Sequence, residues 1–378
     1  MSWRDCLLGD VVTLKRGHDL PKGKRKAGPV PVVSSSGFTG WHDEAKAEPP
    51  GVVTGRYGTI GEVFFVEQPY WPLNTALYAI DFHENDPRFV SYFLRNQLKN
   101  YQSEKAAVPG VDRNVLHKIE VRCPDLPTQE RIASILSAYD DLIENNRRRI
   151  ALLEQAARLL YREWFVHFRF PGHETAEFVD GLPEGWVTNT LADLAMRVDY
   201  GFTASADREI DGPRFLRITD IAGGCIDWST VPRCSASEKE TEKYSLREGD
   251  VVVARTGATT GWARRIGKTE EAAVFASYLV RFQFGERYDS TVAGVFMQSE
   301  AYKSQIKGKL GGAAQPNASA KVLGSVEVVV PTKPIQEDFR QQVLPGFEQI
   351  DCLMNTNNKL AAARDLLLPR LMDGRIPV

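Results

Sequence analysis

Apolar residues recur every three or four positions from Thr128 to about Phe165, which predicts one long amphipathic helix. The spacing is heptad-like, as in a helix that packs lengthwise against another helix. About 38 residues at ~1.5 Å each give a helix of about 57 Å. The predicted apolar positions, interrupted at Asn146, are Ile132, Ile135, Tyr139, Leu142, Ile150, Leu153, Ala157, Leu160 and Trp164.

A second pattern of this kind runs from Ile335 to about Leu371. Proline lacks the backbone N–H that a helix interior needs, so Pro345-Gly346 is expected to kink or interrupt this helix near its start. Neither apolar stripe is stable if it is left in water. We therefore expect the two helices to pack against each other, antiparallel, with a domain at each end.

The segments that lead into the two helices are copies of one another. "PDLPTQERIASIL" begins at Pro124, and "PTKPIQEDFRQQVL" begins 207 residues later at Pro331. Between Pro109 and Glu130 the same offset gives nine identities, where ordinary residue usage gives roughly one or two. A repeat of so long a period indicates a duplicated domain and not a solenoid.

The rest of each half also agrees in outline. "GVVTGRYGTIGEVFFV" from Gly51 and "DVVVARTGATTGWARRI" from Asp250 both predict a strand, a Gly/Thr/Arg loop and another strand. The predicted fold is α/β, with two duplicated mixed α/β domains joined by two long antiparallel helices in a pseudo-twofold arrangement. The predicted boundaries are residues 1–126 and 171–332 for the domains, and 127–170 and 333–378 for the helices.

Composition adds few constraints. The 378 residues carry a net charge of −2, which neither indicates nor excludes a local basic face. No stretch approaches the ~18 apolar residues of a membrane span, and no apolar leader follows Met1. The five cysteines are scattered, without CxxC spacing. A cytoplasmic protein with reduced thiols is the simplest interpretation.

The search for catalytic motifs finds none that holds. The six histidines form no HExxH pair, so no metal site is predicted. "GWARRIGKT" from Gly261 resembles a phosphate-binding loop, but Trp262 stands where glycine is required. We expect no catalytic residue and no cofactor bound by this chain.

Loops rich in basic, small polar and aromatic residues occupy matching places in the two halves. Lys and Arg suit phosphate contacts, whereas Arg, Asn and Ser on rigid turns suit base edges. A solvated surface is the alternative for any single residue. Candidate DNA contacts in the first half are Lys22, Lys24, Arg25, Lys26, Ser34, Ser35, Ser36, Arg56, Tyr57, Thr59, Trp71, Asn74 and Arg113. Those in the second half are Arg208, Arg214, Arg217, Arg255, Thr256, Thr259, Thr260, Arg264, Arg265, Lys307, Lys309 and Asn317.

The first long helix also carries the run "NNRRR" from Asn145 to Arg149. Three successive arginines cannot share one helical face, so a solvated stripe is the default and contact with a partner protein is the alternative. Candidate partner contacts on this helix are Arg147, Arg148, Arg158, Arg162, Trp164 and Phe165.

These segments resemble a known family. "LPTQERIASILSAYDDLIENNRRRIALLEQAARLLYREWFVHFRFPG" is similar to the central conserved region of the DNA-specificity subunits of Type I restriction–modification enzymes. "LPEGWVTNTLADLA" resembles the start of a second recognition domain, and "AAARDLLLPRLMDGRI" resembles the distal conserved region. The second half has no counterpart of "REWF".

The resemblance implies a non-catalytic subunit that binds double-stranded DNA. Each domain would recognise one half of a split target, and the helices would set the unread spacer. Two methyltransferase subunits that use S-adenosylmethionine would dock on it, and motor-nuclease subunits that use ATP and Mg²⁺ would join them. A scaffold in another defence assembly is the alternative, and a neighbouring methyltransferase gene would distinguish the two. A stand-alone hydrolase is a third possibility, which turnover by the purified chain would support.

Overall fold

The computed structural model describes residues 2–56, 61–99, 111–222, 224–310 and 317–378. The chain divides into two compact units. The first unit comprises Met1–Glu144 with Lys359–Val378, and the second comprises Asn145–Asn358. Both long helices contribute residues to both units, so the unit boundaries fall inside the helices.

The first unit is a mixed α/β structure. Its four-stranded sheet has the order β2-β8-β5-β6, its three-stranded sheet the order β4-β3-β7, and β1 pairs with β9. Strand β5 is buried throughout, as its apolar sequence predicts. The elements are β1 (Trp3–Leu7), β2 (Thr13–Arg16), β3 (Val30–Ser34), β4 (Gly37–His42), β5 (Gly51–Gly55), β6 (Val63–Val66), β7 (Trp71–Pro72), β8 (Ala76–Asp81), α1 (Pro87–Leu98), α2 (Arg113–Leu116) and β9 (Glu120–Pro124).

The first long helix, α3, spans Leu126–Phe165. The second unit then follows the plan of the first, with additional strands. The elements that follow α3 along the chain are β10 (Phe178–Val179), β11 (Leu182–Pro183), β12 (Val187–Thr190), α4 (Leu191–Leu194), β13 (Ala195–Tyr200), β14 (Ala206–Asp207), β15 (Arg214–Leu216), α5 (Ile218–Ile221), β16 (Arg233–Cys234), α6 (Glu238–Tyr244), β17 (Val251–Ala254), β18 (Ala263–Arg265), β19 (Ala273–Phe275), β20 (Leu279–Phe284), α7 (Ser290–Phe296), α8 (Glu300–Leu310), α9 (Ala320–Gly324), β21 (Glu327–Val330) and the second long helix, α10 (Lys333–Met372).

The sheets of the second unit repeat those of the first. One four-stranded sheet has the order β13-β20-β17-β18 and the other the order β14-β16-β15-β19. Strand β12 pairs antiparallel with β21, as β1 pairs with β9. Each of these two-stranded sheets connects the beginning of a repeat to the strand that precedes its long helix. The duplicated mixed α/β architecture predicted from the sequence is confirmed.

The two long helices pack together inside each unit. In the first unit, Ile132 and Leu136 near the start of α3 share a core with Leu368 and Leu371 near the end of α10. In the second unit, residues near the end of α3 share a core with Phe339 and Val343 near the start of α10. In each unit, therefore, the start of one helix lies beside the end of the other, as antiparallel packing requires.

The buried stripe of α3 differs in part from the predicted one. It runs at heptad spacing through Leu136, Ile143, Ile150, Ala157 and Trp164, which are all buried. The predicted positions Ile135 and Leu142 are instead exposed. At both places two apolar residues are adjacent in the sequence, and only one of two neighbouring positions on a helix faces the partner helix.

The expected interruption of α10 at Pro345-Gly346 is wrong, because the helix continues through both residues. Pro345 is exposed, so the carbonyl that it leaves without an intrahelical donor lies on the side that water can reach. Val343, two residues before the proline, and Ile350, five residues after it, are both buried. The packing of these two buried side chains keeps the backbone helical on both sides of Pro345.

The repeated motif before each long helix has a defined structural role. Gln129 is buried, and its Oε1 accepts the backbone N–H of Asp86 at 2.9 Å while its Nε2 donates to the carbonyl of Pro124 at 2.9 Å. Gln336 does the same in the second unit, accepting from the N–H of Asp289 at 2.7 Å and donating to the carbonyl of Pro331 at 2.8 Å.

Asp86 and Asp289 are also the N-cap residues of α1 and α7. Each glutamine therefore joins three elements: the last strand of its repeat, the N-terminus of a helix inside the domain, and the first turn of the long helix. The duplicated sequence motif is a duplicated junction between domain and helix.

Candidate nucleic-acid interface

In the first unit, three of the predicted loops come together beside the end of β5. The N–H of Arg56 donates to the carbonyl of Thr75 at 2.9 Å. The N–H of Ser35 in the turn between β3 and β4 lies 3.5 Å from the Thr75 Oγ1. Asn74 donates its side-chain N–H to Asp19. The structure thus gathers Ser35, Arg56 and Asn74 into one loop cluster.

The second unit builds the same arrangement around Arg255, which follows β17. Its N–H donates to the carbonyl of Tyr278 at 3.0 Å, and its carbonyl accepts from the N–H of Ala318 at 2.8 Å. In the first unit the carbonyl of Arg56 accepts from the N–H of Val111, also at 2.8 Å. Val111 and Ala318 are 207 residues apart, which is the offset of the sequence repeat. Arg56 and Arg255 are therefore equivalent positions.

The side chain of Arg255 is held by two neutral groups. Its guanidinium lies 4.8 Å from the centroid of the Tyr200 ring, a cation–π distance. Its Nη2 donates to the Oδ1 of Asn317 at 3.3 Å. Asn317 in turn forms an antiparallel β-bridge with Thr256. Three predicted residues, Arg255, Thr256 and Asn317, are thus brought into one site.

Two further predicted arginines are engaged in ion pairs inside the second unit. Arg214 makes two hydrogen bonds to the carboxylate of Glu271, at 3.1 and 3.2 Å. Arg217 likewise makes two side-chain bonds to Asp220, which raise the pKa of Arg217. Both arginines therefore stabilise local structure. Their pairing with carboxylates argues against the predicted contacts with DNA.

Arg264 and Arg265 are more deeply enclosed, and burial lowers the pKa of both guanidiniums. Arg264 donates to the carbonyl of Gly224 and, at 3.1 Å, to the side chain of Gln298. Arg265 lies 3.8 Å from Glu248. Sequence reasoning placed these residues on a basic loop, but the end of strand β18 directs them into the domain.

Trp71 is likewise a core residue and not a surface contact. It packs with Leu20 and Val32, and its ring stands edge-on to His42 at 5.1 Å. Ser34 is also buried, and its hydroxyl donates to the carbonyl of Gly37 to close the hairpin turn. Ser36, in the same turn, is exposed.

The basic loop between β2 and β3 contains exposed lysines and one arginine that is bonded within the domain. Lys22, Lys24 and Lys26 are exposed. Arg25 instead donates to the carbonyl of Thr39 at 2.7 Å and so ties the loop to strand β4. The lysines are therefore displayed next to β4 by an arginine that is used structurally.

The remaining candidates are at the surface or outside the described residues. Arg113 begins the short helix α2 and is exposed, as are Arg208, Lys307, Lys309 and Asn317. Thr259 and Thr260 lie in the turn after Arg255, where the Thr260 hydroxyl donates to the carbonyl of Gly257 at 2.7 Å. Tyr57 and Thr59 lie outside the residues that the structure describes.

The sequence analysis did not predict that several aromatic side chains are exposed at the surface. Phe38 is 59% exposed and Trp41 is 57% exposed. They pair across the hairpin with Val33 and Pro31, so both lie on one face of β4, with a bulge between them. In the second unit Tyr278, next to Arg255, is 61% exposed. Aromatic residues in a strand normally predict core, and the only signal against it was the pair of glycines at positions 37 and 40.

Of the predicted partner contacts on α3, some are likewise core residues and the others are at the surface. Trp164 and Phe165 are buried, and both rings pack against Phe339, at 5.7 and 4.9 Å between centroids. They are core residues of the second unit. Arg147, Arg148, Arg158 and Arg162 are exposed on the helix, and Arg158 lies 3.6 Å from Glu154.

An apolar stripe that sequence reasoning did not identify lies on the same helix and the turn that follows it. Leu152, Leu159 and Val166 are seven residues apart, and all three are exposed. Leu159 and Val166 line a groove of about 650 Å³ together with Trp262 and Met297. Arg158, Arg162 and Lys303 also line it, so the groove combines an apolar floor with positive charge.

Metal ligation and membrane insertion are two other properties on which the described part of the chain bears. No group of three or more His, Cys, Asp or Glu side chains is placed to hold a metal ion there. Within the same residues, every helix is too short or too polar to cross a bilayer.

Comparison with known proteins gives matches of one kind. Residues 2–155 match the family model described as the Type I restriction modification DNA specificity domain. The Type I restriction enzyme MjaVIII specificity subunit of Methanocaldococcus jannaschii is 24% identical over 302 residues, which cover 77% of this chain and 70% of that one. The MjaIX specificity subunit of the same organism is 26% identical over 292 residues, which cover 71% of this chain and 63% of that one.

The fold is found in a solved relative. The crystal structure of the S subunit of a Type I restriction–modification system from M. genitalium covers 98% of this chain and 96% of its own, with a TM-score of 0.59 at 16% identity. The duplicated α/β domains with long helices are therefore a fold that this chain shares with a solved structure. Over residues 2–155 this chain is thus similar to the Type I DNA specificity domain, and over 77% of its length it is similar to a specificity subunit.

Proposed function

We propose that this chain is a DNA-specificity subunit of a Type I restriction–modification system, and that it recognises a bipartite DNA target with one repeat for each half-site. The observation that carries the proposal is the pair of loop clusters around Arg56 and Arg255. The two are built by the same backbone hydrogen bonds at repeat-equivalent positions. A protein that duplicates a recognition surface is suited to a duplex that presents two recognition sequences. The two clusters differ in side chains, so the two half-sites should differ in sequence.

The exposed cations divide into two roles. Lys22, Lys24 and Lys26 in the first unit, and Arg208, Lys307 and Lys309 in the second, are exposed on flexible side chains and suit phosphate contacts. Arg56 and Arg255 begin at anchored backbone positions and suit base edges. Phosphate contacts should give affinity that falls with salt, and base contacts should give sequence preference.

The helical pair is proposed to set the unread spacer. Helices α3 and α10 are each 40 residues long. At ~1.5 Å per residue this is about 60 Å, comparable to about 17 base pairs at ~3.4 Å. Two short half-sites and a gap fit within that length. The buried heptad stripe supports this role, because a packed helix pair is stiffer than a single helix.

The subunit is further proposed to anchor methyltransferase subunits. The apolar and basic groove beside Leu159 and Val166 is a candidate surface for an amphipathic segment with acidic flanks. Methyl transfer from S-adenosylmethionine, and any ATP- and Mg²⁺-dependent translocation and cleavage by motor-nuclease subunits, would be chemistry of the partners. This chain would hold the duplex while a partner extrudes the target base.

Selection from a random duplex library tests the proposal. The chain, purified with its methyltransferase partner, is used to select bound duplexes at two salt concentrations. We expect two short enriched sequences separated by a gap of fixed length and no base preference. Enrichment of a single uninterrupted sequence, or of none, would contradict the proposal.

A further inference from the structure

We propose that Arg255 reads a guanine in the half-site bound by the second repeat, and that Tyr200 and Asn317 orient it for this contact. This inference rests on the proposed function. It goes further by naming the base and the residues that select it. Two observations carry the inference. Among the described residues no carboxylate neutralises the charge of Arg255, and neighbouring groups hold its side chain in one orientation.

The first observation concerns charge. Arg214 and Arg217 are each paired with a carboxylate through two hydrogen bonds. A guanidinium in such a pair has already used the donors that a base would need. Among the described residues, by contrast, Arg255 has no carboxylate within 4.0 Å, and its partners are an aromatic face and an amide oxygen. Its positive charge is therefore not neutralised locally.

The second observation concerns orientation. The backbone of Arg255 is fixed on both sides, by the bond from its N–H to Tyr278 and by the bond from Ala318 to its carbonyl. The ring beneath the guanidinium is fixed as well, because the hydroxyl of Tyr200 accepts the N–H of Ala320 at 2.8 Å. An arginine whose plane is set before binding loses less side-chain entropy on contact than a free one.

Guanine is the base that matches this group. Its O6 and N7 atoms present two adjacent acceptors in the major groove, and the planar guanidinium fork can donate to both at once. The bond from Nη2 to Asn317 uses one of its two hydrogens, which leaves the other and those of Nη1 for a ligand. Adenine offers only one acceptor in this position and places a donor beside it, so it is disfavoured.

The exposed aromatic Tyr278 lies next to this group along the backbone bond. Arg208, in the same unit, is exposed, and no hydrogen bond or ion pair holds its side chain among the described residues. Arg208 therefore provides a matched control with the same charge and no orientation.

The test is selection from the random duplex library with the chain in its methyltransferase complex. For the natural chain we expect one guanine of the second half-site to be preferred over other bases by about 5- to 150-fold, the range that one bidentate contact provides. R255A and R255K should lose this preference while the first half-site and the other positions stay unchanged. R208A should weaken binding to all sequences alike and reduce its salt dependence.

Three further variants separate an orienting role from a merely structural one. Y200F keeps the ring but loses the bond to Ala320, so it should reduce the guanine preference only in part, whereas Y200L and N317A should reduce it strongly. Neither should reduce it further when combined with R255A. A loss of preference at every position, or an unchanged guanine in R255A and R255K, would overturn the inference. In both cases the bipartite target of the natural chain would stand, because a failure of the proposed function is seen only in the natural chain's own selection.

Discussion

Asn146 donates its Nδ2–H to the Oδ1 of Asn357 across 2.9 Å, and both side chains are buried between the long helices within the second unit. Applying the repeat offset of 207 residues places Asn146 at Leu353 and Ile150 at Asn357. Ile150 and Leu353 share one apolar cluster. The repeat therefore has a polar layer in one place and an apolar layer at the equivalent place.

A polar layer in a helical seam lowers stability and favours one alignment of the two helices. Replacing both Asn146 and Asn357 by Leu should raise the free energy of unfolding by about 1–3 kcal/mol, because an apolar layer replaces buried amides. Replacing Asn146 alone should lower it by about 1–3 kcal/mol. Urea unfolding measures both. The matched control, Ile150→Asn with Leu353→Asn, should lower it, and equal stability of the two double variants would contradict this explanation.

The spacer should follow the length of the helical pair. We expect that inserting one heptad after Asn146, with a second heptad at the equivalent point of α10 beside Asn357, lengthens the pair by ~10.5 Å. The gap between the half-sites should grow by about three base pairs. Selection from the random duplex library measures it. A change in the half-site sequences with an unchanged gap would show that the helices do not set the spacer.

Gln129 and Gln336, which occupy equivalent positions in the two repeats, should contribute equally to the stability of the fold. Gln129→Leu leaves the N–H of Asp86 and the carbonyl of Pro124 without their partner, and Gln336→Leu does the same to Asp289 and Pro331. Each should cost about 1–3 kcal/mol. Gln349 is an exposed glutamine of α10, and Gln349→Leu should change the free energy of unfolding by less than about 0.5 kcal/mol. Losses no larger than that of the control would exclude a junction role.

Stability should depend on pH through Asp125. Hydrogen bonds from Thr128 and from Ser2 hold the pKa of this carboxyl below its usual range. A carboxyl whose pKa is lower in the folded state stabilises the fold above its unfolded pKa of ~3.9, and this contribution is lost as the pH falls below that value. Asp125→Asn should therefore be less stable than the natural chain at pH 6, with a smaller difference at pH 3. A difference that is constant between pH 3 and pH 6 would rule out this titration.

The sequence predicts the long helices and the duplicated domains well, because heptad spacing and the motif before each helix are local signals. It could not decide between adjacent apolar residues such as Ile135 and Leu136, since that choice depends on where the partner helix lies. It could not separate Arg214, which pairs with Glu271 across 57 positions of the chain, from Arg255, which has neutral neighbours. Phe38 and Trp41 were missed because exposure of a strand aromatic is decided by the sheet face that is left uncovered.

The most direct measurement is methylome sequencing of a host that carries this gene with its methyltransferase partner, beside the same host with this gene deleted. We predict methylated adenines in a motif of two short, different sequences separated by a gap of fixed length, all of which disappear on deletion. Adenine methylation that is unchanged by the deletion, or confined to one continuous sequence, would contradict recognition of one half-site by each repeat.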